Sequence, residues 1–258
     1  MKHSIIVSTL LGFLVVTSPP VLAAGGEAKI KHQHWHFQGF LGQYDKAAVQ
    51  RGFQVFQEVC SSCHELKYLA FRNLEEIGFS VAEIKAIAAE YEVDADPNSE
   101  GEVLKRPALP ADYWPSVYAN PEEAAALHGK MPPDLSLIAK AREGGADYLY
   151  SLLVGYTKSD DPNWNEAFPG HVIGMAQPLY GDDVTYVDGI KPSLEQEAKD
   201  VAEFLMWVAE PNLDKRKRLG IAVMLFTLVF TLFAFLSHRR IAAHVHKEKD
   251  PAGPWPLH

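Results

Sequence analysis

The chain holds two cysteines, and both fall in one short run, Cys60-Ser61-Ser62-Cys63-His64. Two thiols three positions apart lie about one helical turn from each other, so each can form a thioether with a different vinyl of one porphyrin. The histidine that follows directly then lies beneath the iron as an axial ligand. The same C-x-x-C spacing serves redox dithiols and zinc half-sites. Zinc needs further ligands at matching spacing, and there is no second cysteine pair. A thioredoxin-like dithiol belongs in a strand–helix–strand context, whereas an amphipathic helical pattern leads into this run. One such run predicts one haem c, covalently bound through Cys60 and Cys63, with His64 on the iron.

A second axial ligand must come from elsewhere in the chain. Of five methionines, Met1 is the initiator, Met224 lies in an uncharged apolar run, and Met206 reads as packing in a closing helix. Met131, ahead of Pro132-Pro133, and Met175, in Gly174-Met175-Ala176-Gln177-Pro178, both fall on loops. In small c-type cytochromes the axial methionine generally comes from the loop before the closing helix, a position that favours Met175. A Met/His pair favours reduced iron and raises the potential, which suits a carrier late in an electron-transfer chain. His128 and His171 are the bis-histidine alternatives.

The elements that must hold these residues are helical. Val49, Phe53, Phe56 and Val59 recur at spacings of four and three, predicting a helix from Lys46 to Cys60. Ser80 as N-cap with Glu83 three residues on predicts a second helix from Val81 to Tyr91. Residues 94–133 are rich in Pro and Gly and carry little periodicity, so they read as a long functional loop. Short helices are predicted at Leu135–Ala141 and Ala146–Gly155, and residues 156–192 read as irregular. A capping box at Ser193 and Gln196 opens a closing helix that runs to about Ala209. Its apolar stripe is Leu194, Ala198, Val201, Leu205 and Val208. His32, His34 and His36 alternate along a polar segment that reads as a surface arm more readily than as a metal site.

The two ends are membrane signals. A basic start, an apolar run from Ile5 to Val16, Pro19-Pro20 and then Val21-Leu22-Ala23 have the layout of a secretory signal peptide cleaved after Ala23. Leu219 to Leu236 is an uncharged stretch of about 27 Å as a helix, near the thickness of the hydrocarbon core. Lys215-Arg216-Lys217-Arg218 and Arg239-Arg240 flank it. The expected organisation is a signal peptide at 1–23, an exported domain at 24–213, a transmembrane helix at 219–236 and a cytoplasmic tail at 237–258. A short signal of this kind points to a bacterial plasma membrane, with a single-pass chain and its haem domain on the periplasmic side. From Ala24 to Leu213 the chain carries 30 Asp and Glu against 15 Lys and Arg, a net −15. That balance repels nucleic acid and suits a basic protein partner met by diffusion.

Beyond spacing, several ordered motifs carry a resemblance. Arg51-Gly52-Phe53-Gln54-Val55-Phe56 leads into the cysteine run, and Met131-Pro132-Pro133-Asp134-Leu135-Ser136 and Gly144-Gly145-Ala146-Asp147-Tyr148 follow. Then come Phe168-Pro169-Gly170, Ile173-Gly174-Met175 and Trp207-Val208-Ala209-Glu210-Pro211. Together they resemble the cytochrome c1 family, the haem subunits of the ubiquinol–cytochrome c reductases, from Trp35 to the end of the membrane helix. The resemblance implies Met175 as the axial ligand and places Arg106 and Tyr113 near the haem propionates. It implies electrons taken singly from a Rieske iron–sulfur protein, in a membrane complex with cytochrome b, and passed to a soluble or tethered cytochrome c. No bond-making active site is expected in this chain. Glu75, Glu76, Asp94, Asp96, Glu100 and Glu102 are candidates for steering a basic cytochrome. Leu127-His128-Gly129 departs from the family's Asn-Asn-Gly, and the extra cysteine pair of some relatives is missing. The expected fold is mainly α: a cytochrome-c-like haem domain with long loop insertions and one C-terminal transmembrane helix. A free-standing anchored shuttle needs far less chain, and the tail is too short for a haem sensor's signalling domain.

Overall fold

The computed structural model describes residues 28–157 and 159–249, and side chains through residue 245. The predicted signal peptide and the last residues of the tail lie outside that range. In chain order the elements are α1 (Lys46–Glu58), α2 (Val81–Ala89), the antiparallel strands β1 (Glu92–Asp94) and β2 (Lys105–Pro107), α3 (Pro121–His128) and α4 (Ile138–Ala141). They continue with α5 (Ala146–Leu153), α6 (Leu194–Ala209) and α7 (Leu213–Lys249). The architecture is mainly α, a haem-domain-like helical body followed by one long apolar helix.

Helix α1 starts where Asp45 accepts hydrogen bonds from the Ala47 and Ala48 amides. It stops two residues short of the predicted end. The Ser61 and Ser62 hydroxyls bond back to the Gln57 and Val59 carbonyls, and the chain tightens into a 3₁₀ turn at Cys60–Ser62. Such side-chain bonds offer the last carbonyls an alternative to further α-helix. The capping box of α2 is present as read, with Ser80 and Glu83 each serving the other's amide.

Residues 94–133 are less irregular than their composition implied. They contain β2 and α3, and a 3₁₀ helix at Phe71–Ile77 was also not foreseen. Helix α3 carries no apolar stripe and buries only Ala124, so periodicity misses it. Its caps were nevertheless legible: Asn120 accepts from the Glu123 amide, Pro121 opens the first turn, and Gly129 closes it in the left-handed region.

The core forms where α6 crosses α1. Gly52 makes the close approach possible, since a Cβ there would lie 2.0 Å from the Asp200 carbonyl oxygen. Around it Phe53, Phe56, Phe71, Trp114 and Phe204 pack ring against ring, with Phe71 and Trp114 at 4.2 Å between centroids. Arg51 binds Asp200 through two bonds of 2.8 and 3.0 Å and reaches Asp188 at 2.9 Å, so the charge buried between the helices is paired.

Glu197 is a buried carboxyl of α6 with no ion pair among the described residues. It is fully buried, its Oε1 accepts from the Asp183 and Val184 amides, and its Oε2 has no partner. Burial, followed by the neighbouring Asp183 carboxylate, pushes its pKa up to about 7. Between the usual carboxylate range and that value the folded chain keeps a proton that the unfolded chain releases. Stability therefore falls as pH rises through that window, by roughly 3 kcal/mol at about 1.4 kcal/mol per unit. In thermal unfolding of the full-length protein, Glu197→Gln is expected to flatten this slope, because an amide accepts the same two N–H bonds and donates to Asp183. An unchanged slope would place the proton elsewhere.

Helix α7 is long and apolar enough to cross a membrane, and none of its apolar window is buried against protein. It begins at Leu213, earlier than the predicted 219, because the basic cluster is helical and bonded to the body. Lys217 Nζ donates to the carbonyls of Phe37, Gly39 and Gly42 at 2.5, 2.7 and 2.9 Å. Lys215 pairs with Glu76, Arg216 with Glu210, and Arg218 bonds Gln43. Charges that read as membrane flanks thus also fasten the helical body onto its anchor.

Candidate functional site

The end of α1 delivers Cys60, Cys63 and His64 in one compact turn. The Cys63 and His64 amides both bond to the Cys60 carbonyl, at 3.1 and 2.9 Å. Both thiols are partly buried and neither is in a disulfide. Burial, and then the nearby Cys63, pushes the Cys60 thiol up to about 12, so it stays protonated at neutral pH and is a poor metal-binding thiolate. His64 is held below the usual histidine range by burial, which keeps its imidazole neutral and able to ligate. Its Nδ1 lies 2.9 Å from the Pro133 carbonyl. A carbonyl can only accept, so Nδ1 carries the proton and Nε2 presents its lone pair.

Sequence spacing did not single out Pro133 as that partner, although the Pro-Pro pair was a visible signal of a rigid turn. The segment around it is laced to the residues after His64. The Leu135 amide bonds the Glu65 carbonyl, and Asp134 accepts from the Lys67 amide. A second wall comes from residues 113–118. Ala70 bridges Tyr113, Trp114 N–H bonds Leu69, and Ser116 donates to Glu65. Tyr118, buried but for its hydroxyl contacts, reaches the Cys63 carbonyl at 3.2 Å and His128 Nε2 at 2.8 Å. Tyr118 was not foreseen from sequence, because a lone tyrosine in a loop carries no spacing signal.

Met175 is partly buried on the irregular stretch before α6, and Tyr156 fixes its carbonyl with a bond of 2.8 Å. The loop is pinned by bridges Tyr156–Asn165 and Trp164–Val172. It abuts the proline segment: a Cβ on Gly174 would meet Lys130 Cδ at 3.7 Å. Met131 is more exposed, and Met206 packs against the core. The other two candidate histidines are engaged, His128 by Tyr118 and His171 by its stack on Trp164 at 4.7 Å. His32 bonds Asp147 at 2.8 Å, and the described residues contain no group of three or more side chains suited to a metal ion.

A sequence model of the cytochrome C1 family matches residues 35–245. The chain belongs to the cytochrome c1 family. It is similar to cytochrome c1 of Rhodospirillum rubrum, at 44% identity over 87% of this chain and 94% of that one. It is similar to the mitochondrial cytochrome c1 haem protein of Neurospora crassa, at 45% identity over 84% of this chain and 71% of that one. The Candida albicans protein named cytochrome b-c1 complex catalytic subunit is also 45% identical, over 74% of this chain and 69% of that one.

A cytochrome c1 carries a c-type haem, and the donor set fits one. Two thiols unpaired with each other, an imidazole with Nε2 free and a thioether on a pinned loop are the groups such a haem needs. Arg106 is paired within the chain. Asp112 grips it through bonds of 2.6 and 3.0 Å, and that pairing holds the Asp112 carboxyl down at about 2. The guanidinium keeps further N–H groups beyond those two. Tyr113, beside Asp112, is half exposed. Among the acidic candidates, Asp94 pairs with Lys105 and Glu76 with Lys215, while Glu75, Asp96, Glu100 and Glu102 are exposed.

Proposed function

We propose that this cytochrome c1 is the electron-carrying subunit of a ubiquinol–cytochrome c reductase, holding one haem c through thioethers from Cys60 and Cys63. His64 and Met175 would hold its iron. The observation that carries the reading is the His64–Pro133 bond, which fixes the tautomer and aim of an imidazole set directly after two vicinal thiols. Bound there, the haem supplies a one-electron ferric/ferrous couple.

The side chains anchor, orient and tune; none makes or breaks a bond in turnover. Cys60 and Cys63 fix the group to the turn, Pro133 raises the basicity of His64, and Met175 biases the couple toward the reduced form. Arg106, braced by Asp112, and Tyr113 would lie near the propionates, where a guanidinium and a phenol offset carboxylate charge. Electrons arrive singly from a Rieske iron–sulfur protein, with cytochrome b in the same complex, and leave to a soluble or tethered cytochrome c. The relatives named as cytochrome c1 and as a b-c1 complex subunit support that assignment. In this reading residues 1–23 are removed as a signal, 24–213 lie in the periplasm, 219–236 cross the bacterial plasma membrane once, and 237–258 remain in the cytoplasm.

The test is mild detergent extraction through a C-terminal tag, followed by reduced-minus-oxidised spectra, subunit mass spectrometry and haem staining. Co-purification of b-type haem and a Rieske protein is expected, with quinol reducing a single covalently held c haem. Electron delivery to a basic cytochrome should slow as ionic strength rises, since the exposed acids steer it. A c haem that purifies alone and stays oxidised under quinol overturns the reading.

A further inference from the structure

The Pro133 carbonyl fixes the His64 ring, and the Cys60 carbonyl holds the N–H of the peptide that joins Cys63 to His64; the carbonyl of that peptide is held by something else. Tyr118 is 8% exposed, its ring packs edge-on to His128 at 5.6 Å, and its hydroxyl lies between the Cys63 carbonyl and His128 Nε2. A phenol has one proton for these two neighbours. If it went to His128, the Cys63 carbonyl would face an oxygen lone pair at 3.2 Å with no hydrogen between them. If His128 carries its proton on Nε2, it donates to the phenol oxygen and the phenol donates to Cys63, so both bonds are made. The arrangement that satisfies every group is His128 N–H to Tyr118 O–H to Cys63 C=O.

We propose that Tyr118, oriented by His128, is a positioning residue for His64, fixing the Cys63–His64 peptide as Pro133 fixes the ring. The proposal rests on the reading of His64 as an axial ligand. It goes beyond that reading in assigning a side-chain hold on the carbonyl of the ligand's own peptide, and in giving His128 a part although its ring does not bind iron. The O–H dipole sets a positive end against the carbonyl next to the ligand. Removing it leaves that carbonyl more negative and favours the ferric state.

The experiment is a redox titration of the c haem, with low-temperature EPR of the ferric form, in the intact complex carrying Tyr118→Phe, His128→Ala or His128→Gln. Tyr118→Phe should lower the midpoint potential and broaden the low-spin signal while leaving haem stain intact. His128→Ala should move both in the same direction by less, and His128→Gln, whose amide N–H can also donate to the phenol, should restore them toward wild type. His128 is exposed, so its variants test the proposal even where Tyr118→Phe fails to assemble. Wild-type potential and signal in His128→Ala overturn it, as does a Gln variant no better than Ala. A His64→Ala control separates the two readings: a low-spin signal that survives it removes His64 as ligand, whatever Tyr118 does.

Discussion

Met175→Leu is expected to lower the potential of the c haem so far that, at an ambient potential poised at the wild-type midpoint, the reduced fraction collapses by about tenfold or more. Leucine matches methionine in volume, so the loop should keep its shape while losing the thioether. The competing candidate, Met131, makes a sharp comparison. It lies two residues before Pro133, on the segment whose carbonyl accepts the hydrogen bond from His64 Nδ1. That nitrogen points away from the position Nε2 offers to a metal, so the segment approaches His64 from its rear. If His64 Nε2 holds a haem iron, a second protein ligand would have to reach it from the side away from this segment. Met131→Leu should therefore leave potential and spectrum unchanged. Met175→His should keep a low-spin iron at a lowered potential, a pattern that mere misfolding would not give. Optical redox titration of the three variants decides the matter, and a wild-type midpoint in Met175→Leu would remove that residue from the site.

Legibility in the sequence followed the range of each signal. The Cys-x-x-Cys-His run needed only local spacing, and in the structure the Cys63 and His64 amides close a turn on the Cys60 carbonyl. Helices α1 and α6 were readable because a stripe of Val49, Phe53 and Phe56 or of Ala198, Val201 and Leu205 must be buried against something. Helix α3 was lost because it buries one alanine, and its existence rests on caps rather than on a face. The partners of His64 were out of reach for a different reason. The Pro133 carbonyl reaches His64, and the Tyr118 hydroxyl reaches the Cys63 carbonyl beside it, across sequence separations of 69 and 55 residues, and nothing in either residue type announces the contact. The bidentate pairing of Arg106 with Asp112, six residues away in the sequence, is likewise a contact that spacing alone did not announce. The basic run 215–218 was read by its position beside an apolar segment. Its bonds to Glu76, Glu210, Gln43 and three loop carbonyls are tertiary facts.

Gly52 is a position at which the helix crossing tolerates no added side chain. By helix propensity alone Gly52→Ala should help, by about 1 kcal/mol in a helix interior. The crossing with α6 reverses the sign. The added Cβ would fall 2.0 Å from the Asp200 carbonyl oxygen and 2.7 Å from Phe204 Cβ. The first of these is backbone, so no rotamer change relieves it and the helices must separate by more than about 1 Å. Close-packed interiors resist such shifts, and overpacking costs roughly 1–3 kcal/mol where only side chains must move. Here separation also stretches both Arg51–Asp200 bonds and parts Phe53 and Phe56 from Phe204. Leaving a buried ion pair loosened adds a penalty of its own. The expected net loss for Gly52→Ala is about 3 kcal/mol or more, and Gly52→Val should fail to accumulate as holoprotein. The damage reaches the site because α1 ends at the cysteine turn: a tilt that separates α1 from α6 moves Cys60 relative to the Met175 loop, which is joined to α6. Haem stain and thermal unfolding of the membrane-extracted variants read both effects together. A Gly52→Ala protein with wild-type melting and wild-type haem potential would mean that the two helices cross with room to spare, and that the glycine serves nothing at this crossing.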